Sequence, residues 1–470
     1  EALLGVQHRK RDPLLDRRVN VIVNDARGAL RLTNKRYDAI VSQPSHPWTA
    51  GASHLYTREF MQIARDHLEP GGVFVQWMNV IYMDESLLRS LTATLLAVFP
   101  EVRVYRPDPD TVVFLASDLP LNPERYLAET GLPLRNAPLH YSRFGINAIE
   151  DVVSALVLET AGARRLASGA ALITDDHNRI ATSSVFEKGR GMNADASGRL
   201  FAAHDPLQRE DSLVYSRLAS SVSFPYLVRH NGLFIRHDPS IGDRVARMSR
   251  ILGATADGEY ARAHYFWLIR QYNRAHELLR LAIDEYPHAG ELRAEYLRDS
   301  FAALASSQAA PEIVEVAQGL GPTSAAVIEA ARHAVRNEWQ EVARLDERLA
   351  EVGWKDAWYP EALELRVNWR LRVTKAEERK RFADEAIVML ERITMMNPTL
   401  VLLGLRTRAG LVSDRPEIVL KSLSGYARLG ALMVGAGSYP GQSLATEAAA
   451  LLKILDTLER DEKLDASRVA

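Results

Sequence analysis

Three short stretches gather side chains able to handle a proton or a charged ligand: Asn24-Asp25-Ala26, Ser42-Gln43-Pro44-Ser45-His46-Pro47-Trp48 and Thr174-Asp175-Asp176-His177. In the second stretch Gln43 can orient an amine through its amide carbonyl but brings no net charge. His46 is neutral near pH 7 at its usual pKa of ~6.5 and could take up a proton. Three readings of this tip stay open: the lip of a pocket, a site that has lost its chemistry, or a rigid proline-rich turn with Trp48 as a lid. Asp25 follows a short apolar run and also suits a helix N-cap. Thr174 to His177 invites a metal reading, but adjacent side chains diverge on strands and helices alike, so two carboxylates in a row rarely chelate one ion. A turn with Thr or Asp capping is the reading taken. The thirteen His residues are scattered, and His46 and His54 flank a loop without metal-ligand spacing. GxSxG, Walker A and HExxH patterns are absent from the sequence.

The elements that must hold these groups alternate. Val19-Asn20-Val21-Ile22-Val23 and Tyr37–Val41 read as strands, with a helical turn through Leu30 and Leu32 between them. Thr57 is predicted to N-cap a helix reaching Leu68, with Phe60, Met61, Ala64 and Leu68 on one face. Pro70-Gly71-Gly72 is expected to end it, glycine supplying the left-handed residue past the helix. Val73–Trp77 is the next strand, Asp84–Val98 a helix, and Val102–Tyr105 and Val112–Leu115 two close strands. Such alternation predicts a mostly parallel sheet closed by an antiparallel hairpin, with ligands at the carboxyl ends of the strands. Gln76 and Trp77 end a strand at that edge; Gln76 is expected to line the pocket, and Trp77 leans towards the core.

NDARGAL, YDAIVSQPSHPW, SHLYTREF and LEPGGVFVQW, with ALITDDHNRI further on, resemble the aminopropyltransferase (spermidine synthase-like) family of the class I methyltransferase fold. The resemblance covers roughly residues 15–186. It implies a partial Rossmann-like, methyltransferase-type sheet entered at its third strand. The implied donor is decarboxylated S-adenosylmethionine or S-adenosylmethionine, and the implied acceptor a small amine; no metal is implied. Asp25, Ala26 and Ser42 would be cofactor-binding, Gln43 and His46 would occupy catalytic positions, and Trp48 and Gln76 would meet the acceptor. The family's glycine-rich loop is not present. Aligning Pro47 with the family's Asp-x-x-Asp-Pro proline puts Gln43 and His46 where two aspartates would be. A diamine arrives as a cation, since alkyl ammonium pKa values lie near ~10.4. One carboxylate at ~4 Å from it contributes about 4 kcal/mol at an effective dielectric near 20. The neutral tip therefore disfavours a polyamine acceptor relative to the parent family.

Beyond this region the chain changes character. Residues 1–186 are expected to form the truncated α/β domain, 187–245 a linker and mixed segment, and 246–470 an all-α, tetratricopeptide-like helical-repeat domain. Ala275, Leu279, Ala282 and Pro287 share their offsets with Ala386, Leu390, Ile393 and Pro398, the pattern of a helix pair that approaches through a small residue. Such an array offers a groove for a protein or peptide partner, although mixed charges set no sign preference. A net charge of −2 provides no basic field for nucleic acid. The absence of Cys removes disulfides and thiol chemistry and fits a reducing compartment. No uncharged run of ~18 residues marks a membrane segment. The expected location is the cytoplasm, or the cytoplasmic side of a membrane in a longer parent. The chain opens on Glu1-Ala2-Leu3-Leu4 without Met, so a fragment or processed product is expected. Three functions follow: an aminopropyltransferase-type protein of doubtful activity, a non-catalytic interaction scaffold using the helical domain, and an S-adenosylmethionine-dependent methyltransferase.

Overall fold

The structure, a computed structural model, describes residues 17–44, 47, 51–108, 110–130, 146, 148–182, 191–210, 218, 222–230, 241–269, 271–298, 300, 311–353, 356–372, 376–396 and 400–435. Ser45, His46 and Trp48 lie outside the described residues, as does Pro398. The chain divides into two compact units: Glu1–Asn122 with Leu156–Pro206, and Pro123–Ala155 with Leu207–Ala470.

The first unit is a mixed α/β layer. In chain order its elements are α1 (Ala26–Leu32), β1 (Tyr37–Ser42), α2 (Arg58–Asp66), β2 (Leu68–Asn79), α3 (Glu85–Val98), β3 (Glu101–Asp108), β4 (Thr111–Ser117), β5 (Leu156–Leu158), α4 (Thr160–Ala167), α5 (Arg179–Thr182) and α6 (Ala194–Ala202). The sheet order is β1-β2-β4-β3-β5. Among the described residues only β1 and β2 run parallel; β2–β4, β3–β4 and β3–β5 are antiparallel. The expected parallel character is thus confined to one pair. A tight turn joins β3 to β4, which forces them antiparallel, and β4 returns between β2 and β3 and so opposes both.

Val19–Val23 was expected as a strand and is not one. A strand exists through its cross-strand hydrogen bonds, and this segment has no partner among the described residues. Its side chains stand in solvent, with Val23 97% exposed. The sheet accordingly opens on β1, whose outer edge is unpaired among the described residues.

One core fills the unit. Phe60 meets Phe74 edge-on at 6.2 Å, and Phe74 stacks on Phe99 at 5.7 Å. Met61, Met78, Leu91, Val104 and Phe114 surround them. Met192 and Phe201 join the same core, so part of the expected linker packs into the α/β unit. Two glycines fix how β1 meets β2. Gly71 has φ +78°, but it sits within β2 rather than past a helix end, because α2 stops at Asp66. It accompanies a register shift between the Tyr37–Leu68 and Ala39–Val73 pairs. At Gly72 a Cβ would come within 2.9 Å of the Glu69 carbonyl oxygen and 3.0 Å of the Tyr37 carbonyl oxygen, so only glycine permits this approach.

The second unit is helical. Sequence neighbours pack on one another, as Ala256–Leu268 does on Tyr272–Glu285 and Tyr359–Leu371 on Ala376–Met396. Ala275, Leu279 and Ala282 are buried along one of these helices, and Ala386, Leu390 and Ile393 along another. The shared spacing therefore marks inward-facing stripes, an arrangement consistent with helical repeats. Among the described residues no helix is long and apolar enough to cross a membrane.

Candidate functional site

Along β1, from Tyr37 at its start to Ser42 at its end, runs a groove of about 440 Å³ whose lining also includes Ala26 and Leu30 of α1 and, beyond the carboxyl end of the strand, Gln43 and Pro44. Each wall has a local cause. Asp25 N-caps α1: its Oδ2 accepts from the Gly28 amide at 2.7 Å. The cap reading of Asp25 is thus realised, which leaves its second carboxylate oxygen for another partner. Parallel pairing sets Ser42 opposite Gln76. The β2 pleat places Phe74, Gln76 and Met78 on the buried face, while Trp77 is half-buried on the opposite one. Gln76 is fully buried. Its amide donates to the Ser42 carbonyl at 3.3 Å and to the Trp77 carbonyl at 3.2 Å, so it braces the β1 tip from behind. The 3₁₀ turn Ala52–Tyr56 is tied to the same tip by the Tyr56 hydroxyl, 3.4 Å from the Pro44 carbonyl.

Two buried oxygens here have no hydrogen-bond partner among the described residues, Ser42 Oγ and Gln76 Oε1. Burying such groups unpaired costs about 1–3 kcal/mol each; Ser42 belongs to the groove lining, whereas Gln76 does not. Ala26, Ser42 and Gln43 line the groove; Asp25 precedes Ala26 as the cap of α1 without lining the groove, Gln76 stands behind it, and His46 and Trp48 lie outside the described residues. Among the described residues no group of three or more His, Asp or Glu could hold a metal ion.

Sequence reasoning missed one charged cluster on this side of the unit. The guanidinium of Arg27, on α1, donates two bonds to Asp175, at 2.8 and 2.5 Å. Thr57 was expected to cap α2. It occupies the N-cap position, but its side chain caps no helix amide; its hydroxyl lies 2.8 Å from Asp175 Oδ1 and 3.0 Å from the His54 carbonyl. His54 Nδ1 is 3.6 Å from the same carboxylate oxygen, and the Asp175 amide donates to Glu59 at 2.9 Å. The Arg27 bonds and the Thr57 hydroxyl hold the Asp175 carboxyl well below the usual carboxylate range, and the same pairing raises Arg27. Thr174 makes the expected turn: its hydroxyl accepts from the His177 amide at 3.1 Å. The Thr-Asp-Asp signal was visible in the sequence, but its partners lie more than a hundred residues away.

This geometry can be set beside known proteins. Residues 5–107 match the spermine/spermidine synthase domain. The polyamine aminopropyltransferase of Buchnera aphidicola subsp. Acyrthosiphon pisum (strain Tuc7) is 27% identical over 96 residues, covering 20% of this chain and 33% of that protein. Polyamine aminopropyltransferase 2 of Pseudomonas aeruginosa is 32% identical over 93 residues, covering 19% of this chain and 27% of that protein. The chain thus spans about a third of the length of the curated relatives it matches. The matched segment contains α1, the β1 tip and Gln76, whereas Asp175 lies beyond it.

Proposed function

We propose that the first unit binds an adenosyl sulfonium of the aminopropyltransferase type, decarboxylated S-adenosylmethionine or S-adenosylmethionine, at the β1 tip, and that its acceptor is a small amine other than a free diamine. The observation carrying this reading is the shared groove: Ala26, next to the capping carboxylate of Asp25, and Ser42 and Gln43 line one cavity inside the segment that matches the synthase domain. The second Asp25 oxygen would accept from an adenine amino group, and the Ala26 amide and Ser42 would complete that edge. The sulfonium supplies an electrophilic carbon when bound. Gln43 would orient the amine by its carbonyl, with the Ser42 hydroxyl as a supporting acceptor and Gln76 bracing the tip from behind. None of these groups supplies the negative charge that would hold a second ammonium. His46 would complete the tip as the proton acceptor.

Calorimetry with 5′-methylthioadenosine tests the nucleoside half: micromolar binding abolished by Asp25→Ala supports it, and no binding by the wild type refutes it. Putrescine turnover tests the acceptor half. Wild-type turnover that Gln43→Asp with His46→Asp fails to improve would refute the neutral-tip reading.

A second reading, a protein-interaction scaffold, is favoured by one feature of the helical unit. Between Pro311–Gln318 and Pro322–Val335 runs a groove of about 380 Å³ lined by Val314, Ile328, Arg332 and Arg336. A peptide partner seated there would be lost in an Arg332→Glu, Arg336→Glu variant whose nucleoside binding is unchanged.

A further inference from the structure

We propose that Asp175 is a positioning residue: it pins α1, and with it Asp25, against the amino-terminal turn of α2. The need for such a pin follows from α1 itself. The helix has seven residues, none of them fully buried. Isolated helices shorter than about 12–15 residues are marginal in water. Leu30 packs only partly against the core. Apolar burial therefore does little to hold α1 in place.

Polar contacts take over that task. Arg27, in the first turn of α1, is largely buried, with 14% of its side chain exposed, and meets Asp175 through a two-pronged bond. Asp175 is in turn fixed on three sides. Its carboxylate takes the Thr57 hydroxyl at the start of α2, His54 stands 3.6 Å away, and its amide is held by Glu59 in the first turn of α2. The backbone on either side is anchored as well. The Arg58 amide donates to the Ile173 carbonyl at 2.8 Å, and the Ile173 amide donates to Thr94 on α3 at 2.9 Å. Arg179 reaches Ser90 and Ser86 on α3. The Thr174–His177 turn is thus bolted to α2 and α3, and Arg27 is the side chain through which α1 hangs from it. Asp25 caps the same helix two residues before Arg27, so a loosened Arg27 displaces that carboxylate together with the groove wall that Ala26 and Leu30 provide.

The link to ligand affinity rests on the nucleoside reading above; the pin itself does not. The test uses the full chain with Asp175→Asn, Arg27→Gln and Arg27→Lys, read by amide hydrogen exchange and by calorimetry with 5′-methylthioadenosine. Exchange within residues 26–32 should quicken at least tenfold in Asp175→Asn and Arg27→Gln and less than threefold in Arg27→Lys, which keeps the cation. Exchange within α3 should not change. If the wild type binds the nucleoside, its Kd should rise about tenfold in the first two variants and recover in Arg27→Lys, a rescue that a general loss of stability would not give. Exchange in α1 within twofold of wild type in Asp175→Asn, or an α1 already unprotected in the wild type, would overturn the proposal. Absence of nucleoside binding by the wild type, with α1 loosened in the variants, would support the pin and refute the nucleoside reading instead.

Discussion

Replacing Gly72 by alanine should unseat β1 without touching a ligand. The added Cβ would stand 2.9 Å from the Glu69 carbonyl oxygen, 3.0 Å from that of Tyr37 and 3.1 Å from that of Asp38. All three are backbone atoms, so no side chain can swing aside and the strands must part. Overpacking of this kind costs about 1–3 kcal/mol. For a unit of 150–250 residues each kcal/mol lowers the melting midpoint by roughly 2–4 °C, giving an expected drop of about 2–12 °C. The displaced strand carries Ser42, so exchange of the β1 amides should quicken together with the loss of midpoint. Gly169→Ala is the control. Gly169 has φ +72° with open space around the site of the Cβ, so alanine there brings backbone strain alone, about 1–2 kcal/mol. Both variants should melt early, but only Gly72→Ala should expose β1. A Gly72→Ala protein melting within 1 °C of wild type, with β1 exchange unaltered, would show that the close approach does not govern the strand pair.

Asp25→Asn should separate the two roles of that residue: Asn also caps helices, so α1 exchange should hold steady while 5′-methylthioadenosine affinity falls at least tenfold in calorimetry. Phe74→Ala removes a ring held between Phe60 and Phe99 and should destabilise the first unit by about 3–5 kcal/mol, read from urea unfolding; a loss under 2 kcal/mol would contradict the central place given to Phe74. Burial pushes the Glu291 and Glu361 carboxyls up to about 7, and each has a buried oxygen without a partner among the described residues. Because the folded state keeps these protons longer than the unfolded one, stability of the helical unit should fall as pH rises from about 4.5 through 7, by up to about 3 kcal/mol per group. Gln at either position should flatten that slope in urea midpoints measured between pH 5 and 8. At the acid end the depressed Asp175 works the opposite way: the α1 contact should persist above its unfolded pKa and be lost only as pH falls below about 4, which exchange of residues 26–32 can follow.

Much of the α/β unit was legible because local signals agree with it. Asp84 caps α3 through a 2.7 Å bond from the Leu87 amide, and the apolar runs at Ile40, Phe74, Val104 and Phe114 became strands. What failed was decided at long range. Val19–Val23 has strand composition but no strand beside it among the described residues. The Gly71 signal was correct in conformation and wrong in place, because the chain enters β2 at Leu68 and the left-handed residue serves a register shift. Sheet direction was misjudged since nothing in the sequence announces that β4 inserts between β2 and β3. The cap at Asp25 and the position of Ser42 at the end of β1 could be read from their place after an apolar run. The burial of Gln76 depended on the pleat it shares with Phe74 and Met78. The Thr57 hydroxyl was drawn from its helix by a carboxylate 118 positions away, which no local pattern encodes.

The Arg27–Asp175 pair joins residues 148 positions apart. Closing a loop of that length in an open chain costs on the order of 4 kcal/mol in entropy beyond a constant, so the pair cannot form until the sheet has drawn its ends together. During synthesis the constraint is stricter still. At roughly 5–20 residues per second, the ribosome takes about 7–30 s to travel from the codon for Arg27 to that for Asp175. For that interval α1 and the groove wall it carries have emerged but are not yet fixed. The nascent unit thus spends about 7–30 s with the α1 side of its groove unfinished, and that side is completed from far along the unit's own sequence.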